Sequence, residues 1–239
     1  MADPPSENRV DVPKVAWNDV VRFIHQLSHD LRNHLNAIEL QSAYISELER
    51  DDELKSEIKR LREMIGELTS TLQTLSKGVS EAKPNLITYG AADFMEDLRK
   101  RIDHDFSEQS SAIAWKTQVG HATLNVDPQL LQEAFVELFA NAFRHNRDKG
   151  RLIATVTVKN NKFLFSLEEA KAQFDLPTDN WAREPLRKTS QGHYGLGLNR
   201  VRVIVDAHSG EMYAQYDPNA SVLTTILTLP VSGGLYKDA

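Results

Sequence analysis

A chain of 239 residues that is 41% hydrophobic is long enough for two modest cores, so one large domain or two smaller ones are both open. Its formal charge of -6 lacks the basic footprint of a general nucleic-acid binder, and with no cysteine it has no disulfide framework, thiolate metal site or cysteine nucleophile. No apolar run approaches the roughly 18 to 20 residues of a membrane span, and MADPPSENRV is no signal peptide, so the expectation is a cytoplasmic protein or fragment without membrane insertion.

Residues 1–14 are polar and hold three prolines, which reads as a flexible arm. Ile24, Leu27, Leu31, Leu35 and Ile38 then recur at helical spacing and predict one helix from about Trp17 to about Leu48. The acidic ERDDE at 49–53 makes a turn. Leu54, Ile58, Leu61, Ile65, Leu68, Leu72 and Leu75 alternate steps of four and three, a heptad seam without a break. Two such helices form an antiparallel hairpin over 15–78 that buries too little apolar surface alone. Pairing with a second copy completes it as a homodimeric four-helix bundle, and the alternative is a monomeric hairpin packed against the rest of the chain.

Residues 79–85 read as a linker, 86–232 as a second domain and 233–239 as a tail. The second domain is predicted to contain a helix over 91–106, strands over 112–119 and 122–126, and an apolar helix from Asp127. A hairpin of 154–158 with 163–167 turns at Asn160 and Asn161. A last helix from Leu198 precedes two strands, EMYAQY and SVLTTILTLP. Hairpins mixed with helices in this order imply a two-layer α/β sandwich, so the fold class is α + α/β.

On the first helix, at about 100° per residue, His29 and Asn33 fall roughly 160° from the centre of the apolar stripe. His25 and Asn36 share that outward face, whereas His34 sits at the stripe's edge as semi-buried structure. A solvated polar face without chemistry is one reading; chelation of zinc by His25 and His29 is another, with no third ligand in view. Ser28, His29 and Asp30 are consecutive and point in different directions, which excludes a Ser/His/Asp triad. An exposed neutral imidazole is a nucleophile near neutral pH, and Asp30 is placed to take or polarise its other ring proton.

SHDLRN, with His29, Asp30 and Asn33 in an H-[D/E]-x-x-[N/T] pattern, resembles the phospho-acceptor box of sensor histidine kinases. NVDPQLLQEAFVELFANAFRHN is similar to the N-box of that family's ATP-binding domain, GHYGLGLNRVRVIVDAHSGEMYAQY to its G2 box and following strand, and SVLTTILTLP to its closing strand. The resemblance runs from about Trp17 to Val231 in the family's order. It implies a dimerisation and phosphotransfer hairpin followed by a Bergerat-type ATPase sandwich, using ATP and Mg2+. It assigns Asn141 to magnesium, Glu137 to assisting the metal or acting as a base, and Arg144 and His145 to the phosphates. Gly195 and Gly197, just before an apolar helix, leave amides open to phosphate oxygens. Their spacing from Gly192 is not a dinucleotide fingerprint, because Arg200 stands where the last glycine belongs, and no G-x-x-x-x-G-K-[S/T] loop exists.

One motif departs. The family's D-x-G-x-G box, laid along FLFSLEEAKAQF, puts its adenine-binding acid at Glu169, with Glu168 the neighbouring alternative, and puts Lys171 and Gln173 where its glycines belong. Glu184 and Pro185 resemble the short F-box, flanked by Arg183 and Leu186 in place of aromatics. Three functions follow from the resemblance. The chain is a histidine kinase core that phosphorylates His29 from MgATP and serves a response-regulator receiver domain, with Asn33 also orienting water; or a histidine phosphotransferase relaying phosphate between regulators; or a non-catalytic dimeric adaptor.

Overall fold

A computed structural model describes residues 16–145, 150–174, 177–179, 181–183 and 194–232. The chain divides into two compact units between Ser80 and Glu81. The first is a helical hairpin, α1 (Trp17–Leu48) and α2 (Asp52–Val79). The turn is tighter than ERDDE implies, because Asp51 caps α2 by accepting a 2.9 Å hydrogen bond from the Glu53 amide. Helix α2 also continues to Val79, one residue into the expected linker, and Val79 is buried.

The heptad of α2 separates into two rows. Ile58, Ile65, Leu72 and Val79, seven apart, are buried or half-buried, while Leu54, Leu61 and Leu68 are 44%, 45% and 54% exposed. On α1 the buried positions are Ser28 and Ser42, and of the predicted stripe only Ile24 and Leu35 are half-buried. Leu27, Leu31 and Ile38 lie open, so the expected single stripe is rotated: small serines let the helices approach, and the bulkier side chains stand to one flank.

The second unit is a two-layer sandwich. In chain order it has β1 (Ile87–Gly90), α3 (Ala91–Asp105), β2 (Ile113–Gln118), β3 (Thr123–Val126), α4 (Pro128–His145), β4 (Leu152–Lys159), β5 (Lys162–Ala170), α5 (Gly197–Ala207), β6 (Glu211–Asp217) and β7 (Val222–Pro230). The main sheet has the order β2-β4-β5-β7-β6, with only β2 and β4 parallel. Strand β1, which lacks a sequence signal, pairs antiparallel with β3 in a second small sheet. Asn160 and Asn161 turn the β4–β5 hairpin at φ 50° and 61°, as two central residues of a type I′ turn require.

The core lies between the sheet and the helices. Phe135 of α4 meets Phe165 of β5 edge to face at 4.7 Å and Phe94 of α3 at 5.6 Å. Buried His208 fixes the two helices that flank the candidate site: its Nδ1 donates to the Ile204 carbonyl at 2.7 Å, and its Nε2 accepts from the Asp127 amide at 3.1 Å. Asp127 in turn caps α4 by accepting from the Leu130 amide at 3.0 Å. No helix among the described residues is long and apolar enough to cross a membrane.

Candidate functional site

On the hairpin, four polar side chains cluster on the exposed side of α1. His29 Nδ1 lies 3.2 Å from Asp30 Oδ1, and the two side chains are 65% and 52% exposed. Asn33 Nδ2, a donor, is 3.4 Å from the same nitrogen; Nδ1 cannot both accept from Asn33 and donate to Asp30, and the ionised carboxylate at the shorter distance is the stronger partner. Gln26, a residue with no sequence signal beyond standing one turn before Asp30, donates to both carboxylate oxygens at 2.9 and 3.0 Å. The Gln26 amide first, and the His29 ring second, hold the Asp30 carboxyl below its ordinary value. Asp30 is thus an ionised acceptor on Nδ1, and Nε2 is the ring nitrogen left for chemistry.

The other imidazoles sort differently from expectation. His25 is half-buried rather than on the outward face: Ser76 Oγ and Ser80 Oγ of the facing segment lie 3.2 and 3.4 Å from its two ring nitrogens. His34 is exposed, because the seam centres on Ser28 and Ser42 rather than on Leu31. Ser28 is buried away from His29, which removes the triad on geometric grounds too. No cluster of three metal-ligating side chains exists among the described residues.

In the second unit, Glu133, Glu137 and Asn141 stand four apart on α4 and face α5 half-buried. Gly195 has φ 65°, a left-handed turn that opens α5, and Gly197 is the helix's first residue. A β-carbon on Gly197 would fall 2.0 Å from Glu137 Oε1, so that carboxylate packs directly on the glycine backbone at the start of α5. Half-buried Arg200, one turn further, is held below its ordinary value by burial and opposed in this by Glu133. Arg144 and His145 are exposed at the end of α4.

Strand alternation settles which acid points inward. Phe163, Phe165, Leu167 and Glu169 are the buried row of β5, so Glu169 is 3% exposed and Glu168 lies on the opposite face. Burial pushes the Glu169 carboxyl up, against the pull of Lys171, whose ammonium is 3.1 Å from Oε2. The same ammonium donates to the His145 carbonyl at 2.6 Å. Lys171 is therefore more than a missing glycine: it ties β5 to the end of α4. Gly192, Glu184, Pro185 and Leu186 lie outside the described residues.

Oxygen donors on Asn141 and Glu137 beside glycine backbone suit a hard cation that keeps most of its water and shares phosphate oxygens. Glu169, the acid that the resemblance assigns to the base, already has a cation, which a base amino group would have to compete with.

No protein-family model matches the chain. Over 212 residues it is 25% identical to the sensor protein kinase WalK of Staphylococcus saprophyticus, covering 80% of this chain and 33% of that protein. It is 24% identical to the sensor protein CiaH of Streptococcus pneumoniae, covering 79% and 44%, and 22% identical to the sensor histidine kinase ZraS of Klebsiella oxytoca, covering 87% and 45%. The chain thus spans about a third to a half of the curated relatives it matches. Full-length ShkA in complex with AMPPNP superposes with a TM-score of 0.66 at 19% identity, over 89% of this chain and 46% of that one. The histidine kinase AdeS of Acinetobacter baumannii does so at 0.51 and 18%, over 86% and 98%. These likenesses establish the fold: a helical hairpin followed by an α/β domain of the histidine kinase kind.

Proposed function

We propose that this chain, a relative of the sensor histidine kinases in sequence and in fold, is the phosphotransfer and ATPase core of a two-component kinase. It phosphorylates His29 from MgATP and passes the phosphoryl group to an aspartate on a response-regulator receiver domain. The observation that carries this reading is the arrangement at His29: an exposed imidazole whose Nδ1 faces an ionised Asp30, itself held by Gln26. Nε2 forms a bond to the γ-phosphorus as the bond to the β–γ bridging oxygen breaks and ADP leaves with that electron pair. The Nδ1 proton, acidified as the ring gains positive charge, is taken by Asp30. Asn33, a turn later on the same face, is positioned to orient water for dephosphorylating the regulator.

On the second unit, Asn141 and Glu137 hold magnesium, which offsets phosphate charge when bound, and the amides around Gly195 and Gly197 meet phosphate oxygens. Arg144 and His145 supply nearby donors, and Glu169 is the base-facing acid. The exposed row Leu54, Leu61 and Leu68 on α2, with Leu27 and Leu31 exposed on α1, supports pairing with a second copy, which would bury these side chains in a four-helix bundle.

A second reading, a histidine phosphotransferase, is favoured by one observation, the Lys171 ammonium on Glu169. Purified protein with γ-labelled ATP separates the two. The kinase gives acid-labile, alkali-stable label that is absent in His29→Ala. Uptake of phosphate from a phosphorylated receiver with no label from ATP establishes the phosphotransferase instead.

A further inference from the structure

We propose that Lys171 is an intramolecular counter-ion that withholds Glu169 from the nucleotide base, and so sets how tightly and how selectively this chain binds ATP. The inference rests on the reading of Glu169 as the base-facing acid.

Glu169 continues a row of core side chains and is 3% exposed, where an unpaired carboxylate is strongly disfavoured. Lys171, with a side chain only 13% exposed, answers it at 3.1 Å. Its ammonium has a second anchor in the His145 carbonyl at 2.6 Å, at the end of α4 where the helix dipole favours a cation. The backbone of Lys171 is pinned on both sides. Its amide donates to the Ser221 carbonyl at 2.8 Å, and its carbonyl accepts from the Tyr216 hydroxyl at 3.0 Å. The ammonium therefore leaves Glu169 only by rotation of its own side chain, losing two charge-assisted or dipole-assisted bonds as it goes.

The amino group of a purine base is a neutral donor. Against an ionised acceptor it forms a charge-assisted bond, but the ammonium adds the attraction of a full charge and is tethered two residues away. A base amino group thus meets a carboxylate whose best acceptor direction is already used. Two consequences follow. ATP binds weakly, and a nucleotide whose base carries an oxygen in place of the amino group binds almost as well.

The test is titration calorimetry of MgATP and MgITP on the whole chain in a His29→Ala background, comparing Lys171 with K171M. The substitution K171M keeps the stem and removes the charge. The paired variant E169Q/K171M leaves no buried charge unpaired, so it reads the same effect where K171M alone unfolds. The expected result is an ATP to ITP affinity ratio near one with Lys171 and about tenfold tighter ATP binding in either variant, one recovered hydrogen bond, with a ratio of about ten in K171M and a smaller one in E169Q/K171M, whose amide can also donate to the ITP oxygen. Equal ATP affinity and an unchanged ratio in folded variants overturns the role of Lys171 and leaves the kinase reading standing. No binding by any of the three at millimolar ATP overturns both.

Discussion

The same substitution at two glycines separates what holds the second unit together from what serves its chemistry. A β-carbon on Gly210, just after α5, would lie 2.4 Å from the Thr228 carbonyl oxygen and 2.8 Å from side-chain carbons of Leu229 and Val205. Ordinary contact begins at 3.4 Å, so backbone must yield by about 1 Å. It cannot do so cheaply, because Thr228 lies in β7, held between β5 and β6. Overpacking of this kind costs about 2 to 3 kcal/mol, which for a unit of this size lowers the melting midpoint by roughly 4 to 12 °C. On Gly197 the collision, at 2.0 Å, is with the end of the Glu137 side chain, which rotates away. Gly197→Ala at a helix start also gains up to about 1 kcal/mol of backbone entropy, so its midpoint stays near wild type. What it loses is ATP-dependent labelling of His29, because the Glu137 carboxylate is displaced. Thermal unfolding followed by circular dichroism and labelling with γ-labelled ATP read the two effects. Equal midpoints for both variants would refute the packing argument, and full labelling of Gly197→Ala would refute the role given to Glu137.

Other perturbations test the hairpin and the buried pair. Gln26→Ala removes the largest influence holding the Asp30 carboxyl low, so its NMR-detected titration midpoint moves up toward the ordinary aspartate value; an unmoved midpoint contradicts the Gln26 contact. Leu61→Asp puts a charge in the exposed row of α2, and light scattering should show dimers for wild type and monomers for the variant; an unchanged dimer places the interface elsewhere, and a monomeric wild type contradicts the pairing. The Glu169 carboxyl is raised in the folded state, so it favours folding most at low pH and loses that contribution as pH rises through its folded value. Lys171 opposes the shift, and K171M should therefore be more destabilised relative to wild type at pH 8 than at pH 5 by urea unfolding. A gap that does not depend on pH would mean Glu169 is not the group left unpaired.

Long periodic segments were legible in the sequence because their spacing is a backbone property. The ends of α1, the Asn160–Asn161 turn and the order of strands after α4 all follow from it. Strand β1 was not legible: ITYG carries no alternation and exists as a strand through its pairing with β3. The wheel of α1 placed His29 and Asn33 outward correctly, yet misplaced His25 and His34, because it weighted large apolar residues while the seam was chosen by Ser28 and Ser42. At the second site, strand alternation already favours Glu169 over Glu168. That the residue at a glycine's position reaches back to neutralise it depends on a contact across the fold, between Lys171, Glu169 and the last turn of α4. Gln26 is not legible because a glutamine on a polar helix face has no distinguishing pattern until its partner, Asp30, has a role.

The most direct test of the account is phosphate on His29. Incubated with γ-labelled ATP and magnesium, the wild-type chain should acquire acid-labile, alkali-stable label that maps to the peptide containing His29, is lost in His29→Ala and transfers to a receiver-domain aspartate. A folded wild-type chain that takes no label at millimolar ATP, or a His29→Ala variant labelled as well as wild type, would contradict it.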